Sequence, residues 1–320
     1  MTKIPSDTTL ITKSLVIPVY KNEGNIPSLL IALIKLANNL GSGFEVIFVV
    51  DGSPDRSYEL LSVAIHKCPY KAQLISLSRN FGSFTAIRTG LEHAKGEYVA
   101  VMAADLQEPP ELIEQFFDIL GKNAADVVFG ERIQRDDPTA QKFLANSYWN
   151  MYRKIVLPDI PSGGVDIFAC NQQVKSAVLS IEEPNSSLIA QLFWVGFRRS
   201  FIPYERQERQ VGKSAWSLKK RIKYMLDSVF SYSDFPIMLI LWVGLAGLFV
   251  TAAVGTVTLL AKLMGWIDVP GYTAMILVTL FFGSAILATQ GIIGCYLWRA
   301  FENTKKRPIS IIQNAINNND

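Results

Sequence analysis

The apolar run Tyr98 to Met102 breaks off into Ala103-Ala104-Asp105-Leu106-Gln107-Glu108 and then Pro109-Pro110. The run reads as a buried strand. The proline pair reads as the first turn of a helix, because proline lacks the N–H that a strand ladder needs but suits a helix start. An acid and an amide therefore stand at the carboxyl end of a strand, where open α/β sheets place their ligands. Asp105 and Gln107 supply hard oxygen donors of the kind that hold Mg2+ or Mn2+. A strand-to-helix turn with polar caps uses the same residues, so this stretch alone leaves both readings open. Polar groups recur after other apolar runs: Asp51 in DGSPD, then Arg79-Asn80 in SRNFG. Asp51 has the chemistry to accept hydrogen bonds from a base or a sugar. Asp166 lies in the otherwise apolar VDIFA, where a lone acid is costly unless paired or used, and it is a candidate general base. Arg132, Lys142 and Arg209 are candidate phosphate contacts.

The elements that must position these groups follow from periodicity. Strands are predicted at Ser14 to Tyr20, Phe44 to Val50, Ala72 to Leu77, Glu97 to Met102 and Asp126 to Gly130, with helices at Ile26 to Leu40, Ser57 to His66, Phe84 to Ala94 and Glu111 to Leu120. Strands alternating with helices imply a mostly parallel sheet covered on both faces. In such a sheet the ends carrying Asp51, Arg79, Asn80 and Asp105 share one edge and converge on one cleft. Beyond Gly130 the pattern loosens: a charged loop at Glu131 to Pro138, a helix at Ala140 to Ile155, a short strand at Val165 to Cys170, a helix at Ser187 to Val195 and a strand at Arg198 to Tyr204. No GxxxxGK[ST] loop is present, so a P-loop nucleotidase is not supported.

The totals bound the class. The chain has 320 residues, 49% of them hydrophobic, a formal net charge of +3 and only two histidines. That charge is too small to argue for nucleic acid. Three scattered cysteines, Cys68, Cys170 and Cys295, give neither a zinc spacing nor a disulfide framework. Residues 1–9 lack the apolar core of a signal peptide. Mean hydropathy is +0.22, with the apolar excess gathered after residue 236. Ile237 to Ala261 and Gly271 to Trp298 contain no charged residue, and each exceeds the ~20 residues that cross a bilayer. Basic flanks (Lys219, Lys220, Arg221 and Lys223; Arg299, Lys305, Lys306 and Arg307) put both ends in the cytoplasm and the loop Lys262 to Pro270 outside. The basic helix Ala215 to Ser233 reads as lying in the headgroup layer, or as an ordinary solvated helix. Asn314 to Asp320 reads as a polar, frayed tail. An acidic cleft, basic segments and a hairpin in the bilayer together fit transfer of a phosphate-bearing polar group onto a lipid.

At this point the residues resemble a family. Ile17-Pro18-Val19-Tyr20, Asp51-Gly52-Ser53, Ser78 to Gly82 and Asp105 to Pro110 together resemble the family 2 GT-A glycosyltransferases. Gly212 to Ser233, the paired apolar runs and Thr304 to Pro308 resemble the polyprenyl-phosphate branch, which includes the bactoprenol glucosyltransferases of O-antigen modification and the dolichol-phosphate mannose synthases. The resemblance implies a Rossmann-like GT-A domain at 1–213, a juxtamembrane segment at 214–235, two spans within 236–300 (about 237–262 and 272–298) and a cytoplasmic tail at 301–320. It implies an integral protein of the inner or plasma membrane, with the catalytic domain and both termini cytoplasmic. Pro18, Tyr20, Glu23, Asp51, Arg79 and Asp105 fall where the family binds the nucleotide sugar. Asp105 and Gln107 fall in its metal segment, Arg132 and Lys142 at phosphate positions, and Arg209, Gly212, Lys213 and Ser214 in a loop that closes over the donor. Asp166 matches the family's base. The implied reaction moves a hexose, glucose from UDP-glucose in the first instance, to undecaprenyl phosphate with inversion. GDP-mannose as donor, or a scaffold that binds without turnover, are the alternatives. Ala103 departs from the family by removing one metal carboxylate, Val165 replaces a glycine, and Cys295 replaces a glutamate. Gly244, Gly247, Gly283 and Gly291 permit close helix packing and so a homo-oligomer.

Overall fold

The computed structural model describes residues 10–133, 153, 159–161, 165–183, 186–207, 226–233, 235–264, 266 and 271–318. The predicted alternation is realised as β1 (Lys13–Val19), α1 (Ile26–Leu40), β2 (Phe44–Val50), α2 (Ser57–Ile65), β3 (Lys71–Leu77), α3 (Ser83–His93), β4 (Tyr98–Val101), α4 (Glu111–Gly121) and β5 (Val127–Arg132). There follow β6 (Val165–Asn171), α5 (Gln172–Leu179), α6 (Leu188–Trp194), β7 (Arg199–Tyr204), α7 (Phe235–Leu263), α8 (Tyr272–Thr304) and β8 (Ile312–Asn317). The chain divides into two compact units, residues 1–222 with 307–320, and residues 223–306.

In the first unit the eight strands form one sheet in the order β7-β5-β6-β4-β1-β2-β3-β8. The pairs β1–β2, β1–β4, β2–β3 and β5–β7 are parallel, whereas β6 runs antiparallel to β4 and β5, and β8 antiparallel to β3. The carboxyl ends of β1 to β5 and β7, and the amino ends of β6 and β8, therefore lie along one edge. β2 is buried along its whole length, as a strand covered on both faces must be. Leu15, Ile17 and Val19 point into a core shared with Leu29, Leu33 and Leu36 of α1 and Ile113, Phe116 and Phe117 of α4. The alternate residue, Val16, faces α3. A Cβ on Gly90 would lie 2.2 Å from Val16 Cγ1, so the missing side chain lets α3 ride close on β1.

The opposite edge is stitched by buried polar groups. Glu45, 1% exposed, accepts hydrogen bonds from Ser14 Oγ (2.6 Å), the Lys95 N–H (2.7 Å) and Gln73 Nε2 (3.2 Å). The guanidinium of buried Arg88 donates to the carbonyls of Val178, Leu179 and Ile181, closing the carboxyl end of α5.

Several expectations are corrected. Residues 314–317 are not frayed; they belong to β8, docked on β3 by backbone hydrogen bonds. α5 was not anticipated. The expected hairpin of two membrane spans is not upheld: among the described residues, no helix is long and apolar enough to cross a membrane. The expectation of an integral membrane protein falls with it. Within the second unit, Arg299 pairs with Asp227 (2.8 Å) and Ser231 Oγ (2.9 Å) and lies 5.4 Å over the Phe230 ring. The predicted helix Ala140 to Ile155, and most of Ala215 to Ser233, lie outside the described residues.

Replacing Gly90 tests the close approach of α3. Alanine gains about 0.5–1 kcal/mol in helix propensity, while overpacking costs about 1–3 kcal/mol. Gly90→Ala should therefore lower the urea midpoint of unfolding, and an unchanged or raised midpoint would refute the tight α3–β1 contact.

Candidate functional site

Asp51 follows the last residue of β2 and is only 2% exposed. Its Oδ1 accepts from the Phe81 N–H (2.7 Å) and its Oδ2 from the Gly82 N–H (2.8 Å). Its backbone carbonyl accepts from Asn80 Nδ2 at 3.3 Å. Gly52 has φ +54°, and a Cβ there would lie 2.3 Å from the Arg79 carbonyl carbon and 2.5 Å from the Asn80 nitrogen. The loops after β2 and β3 are thus in backbone contact, which only glycine permits. Arg79 lies across this joint with its guanidinium 3.9 Å from the Phe81 ring centroid. The first task of Asp51 is to position residues 79–82.

A second set of bonds knits the loop after β1 to the same region. Lys21, itself at φ 55°, donates its N–H to Ser53 Oγ (2.8 Å), and Glu23 donates its N–H to Asp55 Oδ2 (3.1 Å). The Glu23 carboxylate in turn accepts from the Arg56 N–H at 2.9 Å. Ser53 Oγ donates to Asp55 Oδ1 at 2.5 Å, and Tyr20 donates its N–H to Asn22 Oδ1 at 3.1 Å. Pro18 sits in β1 opposite Val49. Burial pushes the Asp55 carboxyl up, but the Ser53 and Ser57 hydroxyls and the Glu23 and Ser57 amides bond its ionised form and together hold it below the ordinary carboxylate range.

The third loop follows β4. Leu106 is in the left-handed region at φ 54°, and Asp105 Oδ1 accepts from the Gln107 N–H at 3.3 Å. Gln107 is held from the segment after β7: its Oε1 accepts from Arg206 Nη2 (2.8 Å), its Nε2 donates to the Gln207 carbonyl (3.2 Å), and its own carbonyl accepts from the Gln207 N–H (2.9 Å). Arg206 Nε also stands 3.8 Å from Glu108 Oε1, on a residue only 1% exposed. Among the described residues, no group of three His, Cys, Asp or Glu side chains is placed to hold a metal ion. Asp105 supplies one carboxylate, Ala103 supplies none, and the Gln107 oxygen already accepts from a cation. These residues do not fit a metal site built by the protein alone.

Arg132 ends β5 opposite Tyr204. Its Nε is buried and has no hydrogen-bond partner among the described residues, so it is a donor in want of an acceptor. Val165 pairs with Glu131, which sets the backbone of Asp166 at the same edge; the description does not extend to its side chain. The sheet thus gathers Tyr20, Asp51, Arg79, Asp105, Gln107, Arg132 and the backbone of Asp166 along one edge. Lys142, Arg209, Lys213 and Ser214 lie outside the described residues. Arg206 and Gln207 were not singled out from the sequence, where they are the first residues of a generally basic stretch. The one available signal was that this stretch follows a strand ending at the same edge.

The lowered pKa of Asp55 sets a direction for pH. Its contribution to stability is complete above the ordinary carboxylate range and is lost as pH falls below about 4. Asp55→Asn should cost on the order of 1 kcal/mol at neutral pH and flatten that acid limb in urea titrations. A wild-type limb retained in full by the variant would remove Asp55 from the loop brace.

The profile described as "Glycosyl transferase family 2" matches residues 14–179, from β1 to the end of α5. The chain is 34% identical over 303 residues to the glycosyltransferase CsbB of Bacillus subtilis, covering 94% of this chain and 91% of that one. It is 30% identical over 300 residues to the uncharacterized glycosyltransferase sll0501 of Synechocystis sp., covering 93% and 94%. It is 28% identical over 301 residues to a prophage bactoprenol glucosyl transferase homolog of Escherichia coli, covering 94% and 98%. With a single α/β sheet gathering the matched motifs at one edge, the chain belongs to glycosyl transferase family 2.

Proposed function

We infer that this glycosyltransferase moves a hexose from a nucleoside diphosphate sugar to a polyprenyl phosphate, with UDP-glucose as the donor. The observation that carries the reading is the convergence at one edge of a braced loop at 79–82, the Asp105 loop, and Arg132 with an unmatched donor. Relatives named as bactoprenol glucosyl transferases support the lipid phosphate as acceptor.

In this reading the 79–82 loop and the Tyr20–Glu23 loop receive the nucleoside. The lipid phosphate oxygen attacks the anomeric carbon as the bond to the diphosphate breaks, so the new bond forms with inversion. A phosphate monoester with a second pKa of about 6 is largely ionised at neutral pH. Asp166 then orients the nucleophile more than it deprotonates it. Arg132 balances phosphate charge by charge-assisted hydrogen bonding. A divalent ion, where one is used, would need the donor's own phosphates to complete its ligand set beside Asp105, and no step here is routed through it. The departure at Ala103 and the engagement of Gln107 by Arg206 favour one second reading, a protein that binds the nucleotide sugar without turnover.

Both readings meet in one experiment. The full chain is given UDP-glucose or GDP-mannose with undecaprenyl phosphate in detergent, with and without chelator, and the lipid product is read by mass spectrometry. Transfer of one hexose from the uridine donor is expected. Asp166→Asn should lower the rate by about a hundredfold, the cost of a misplaced nucleophile, while leaving the unfolding midpoint in place. Calorimetric binding of UDP with no lipid-linked sugar under any condition would favour the scaffold.

A further inference from the structure

β8 touches the site where its partner strand ends. It runs antiparallel to β3, with Ile312 opposite Leu77 and Asn317 opposite Gln73, so its amino end lies at the edge that carries residues 79–82. Immediately before it, the Ile311 carbonyl accepts from the Ser78 N–H at 2.9 Å. The hydroxyls of Ser310 and Thr89 share a hydrogen bond of 2.8 Å, and Thr89 is a residue of α3 only 1% exposed. At the other end of β8, Asn318 accepts from the Ala72 N–H (3.0 Å), donates Nδ2 to the Tyr70 carbonyl (2.7 Å) and donates its N–H to the Ala72 carbonyl (3.1 Å). The loop 79–82 is therefore pinned at its start by Ile311 and through its middle by Asp51. At its end it runs into α3, which Ser310 holds through Thr89.

Burial does not account for this docking. The residues of β8 are almost all exposed and the segment reads IQNAIN, so hydrogen bonds along β3 and at its two ends hold it in place. Each such bond contributes little, and a segment held this way undocks more readily than a core strand. While it is undocked, the Ser78 amide loses its partner and the second turn of α3, at Thr89, loses its side support.

We propose that residues 310–318 are a positioning element of the donor site, so that docking of this segment on β3 and binding of a nucleoside diphosphate at the 79–82 loop strengthen each other. The inference rests on the donor reading above. A docked segment pre-orders the loop, which lowers the ordering cost a nucleotide must meet on binding. Linkage makes the effect reciprocal: the nucleotide must hold the segment down to the same degree. Ser310 and Asn318 act through the loop and touch no reacting atom.

The test uses the full chain with UDP and GDP as probes. Ser310→Ala removes the near anchor and Asn318→Ala the far one, and Thr89→Ser keeps the hydroxyl as the conservative control. Each anchor variant is expected to weaken UDP binding in calorimetry by about threefold to tenfold, the effect of one hydrogen bond. The donor KM should rise with it at nearly constant kcat, while Thr89→Ser stays near wild type. In the wild type, UDP should slow hydrogen exchange of the amides at 312–317, including those at the end of β8 away from residues 79–82. UDP bound equally well by wild type and both anchor variants, with exchange at 312–317 indifferent to UDP, would overturn the proposal and leave the donor reading standing. A wild-type chain that binds neither nucleotide would overturn both.

Discussion

The site depends on a carboxylate facing backbone amides. Asp51, almost wholly buried, turns both oxygens onto the N–H groups of Phe81 and Gly82. An ionised acid in that position is strongly held because the amides offer charge-assisted hydrogen bonds and burial limits competition from water. Removing it would leave two amides at the start of α3 without partners, so loop shape and helix entry rest on the same side chain. Gly52 is the steric condition for this arrangement, since any Cβ would strike the backbone of Arg79 and Asn80. Two loops that belong to different strands thereby behave as one surface.

Strand direction does the rest. A sheet with four parallel central strands already gathers its loops at one edge. Here the antiparallel β6 brings its amino end, with Asp166, to that same edge, and β5 and β7 contribute Arg132 and Arg206. Arg206 then ties the segment after β7 to the loop after β4 through Gln107 and Glu108. At the opposite edge Ser14, Gln73 and the Lys95 N–H all donate to buried Glu45.

Much of this was legible in the sequence, and the reasons are physical. Runs such as FEVIFVV are unbroken because both faces of the strand are covered, and the polar residue that ends each run marks the sheet edge. Asp51 was legible as a site residue, but not as a brace, because the amides it accepts from lie some thirty positions away and amides carry no sequence signature. Arg206 was hidden for a similar reason: its partners Gln107 and Glu108 are distant in the chain. Asn314 to Asn317 of β8 read as part of a frayed tail because IQNAIN lacks both apolar alternation and length, and a strand held by backbone bonds at an exposed edge leaves no hydrophobic pattern. The opposite error came from the long uncharged runs, where residue composition predicted two spans that the described helices do not support.

The compact unit that holds the sheet is interrupted in sequence, leaving after residue 222 and returning at 307. The ribosome therefore delivers every residue from 223 to 306 before β3 can receive its outer neighbour. Throughout that interval the outer edge of β3 is a bare row of donors and acceptors, the kind of template on which nascent chains pair wrongly with one another. β3 itself, KAQLISL, opens with a lysine and carries the polar Gln73 and Ser76, which makes it a poorer seed for such pairing while it waits.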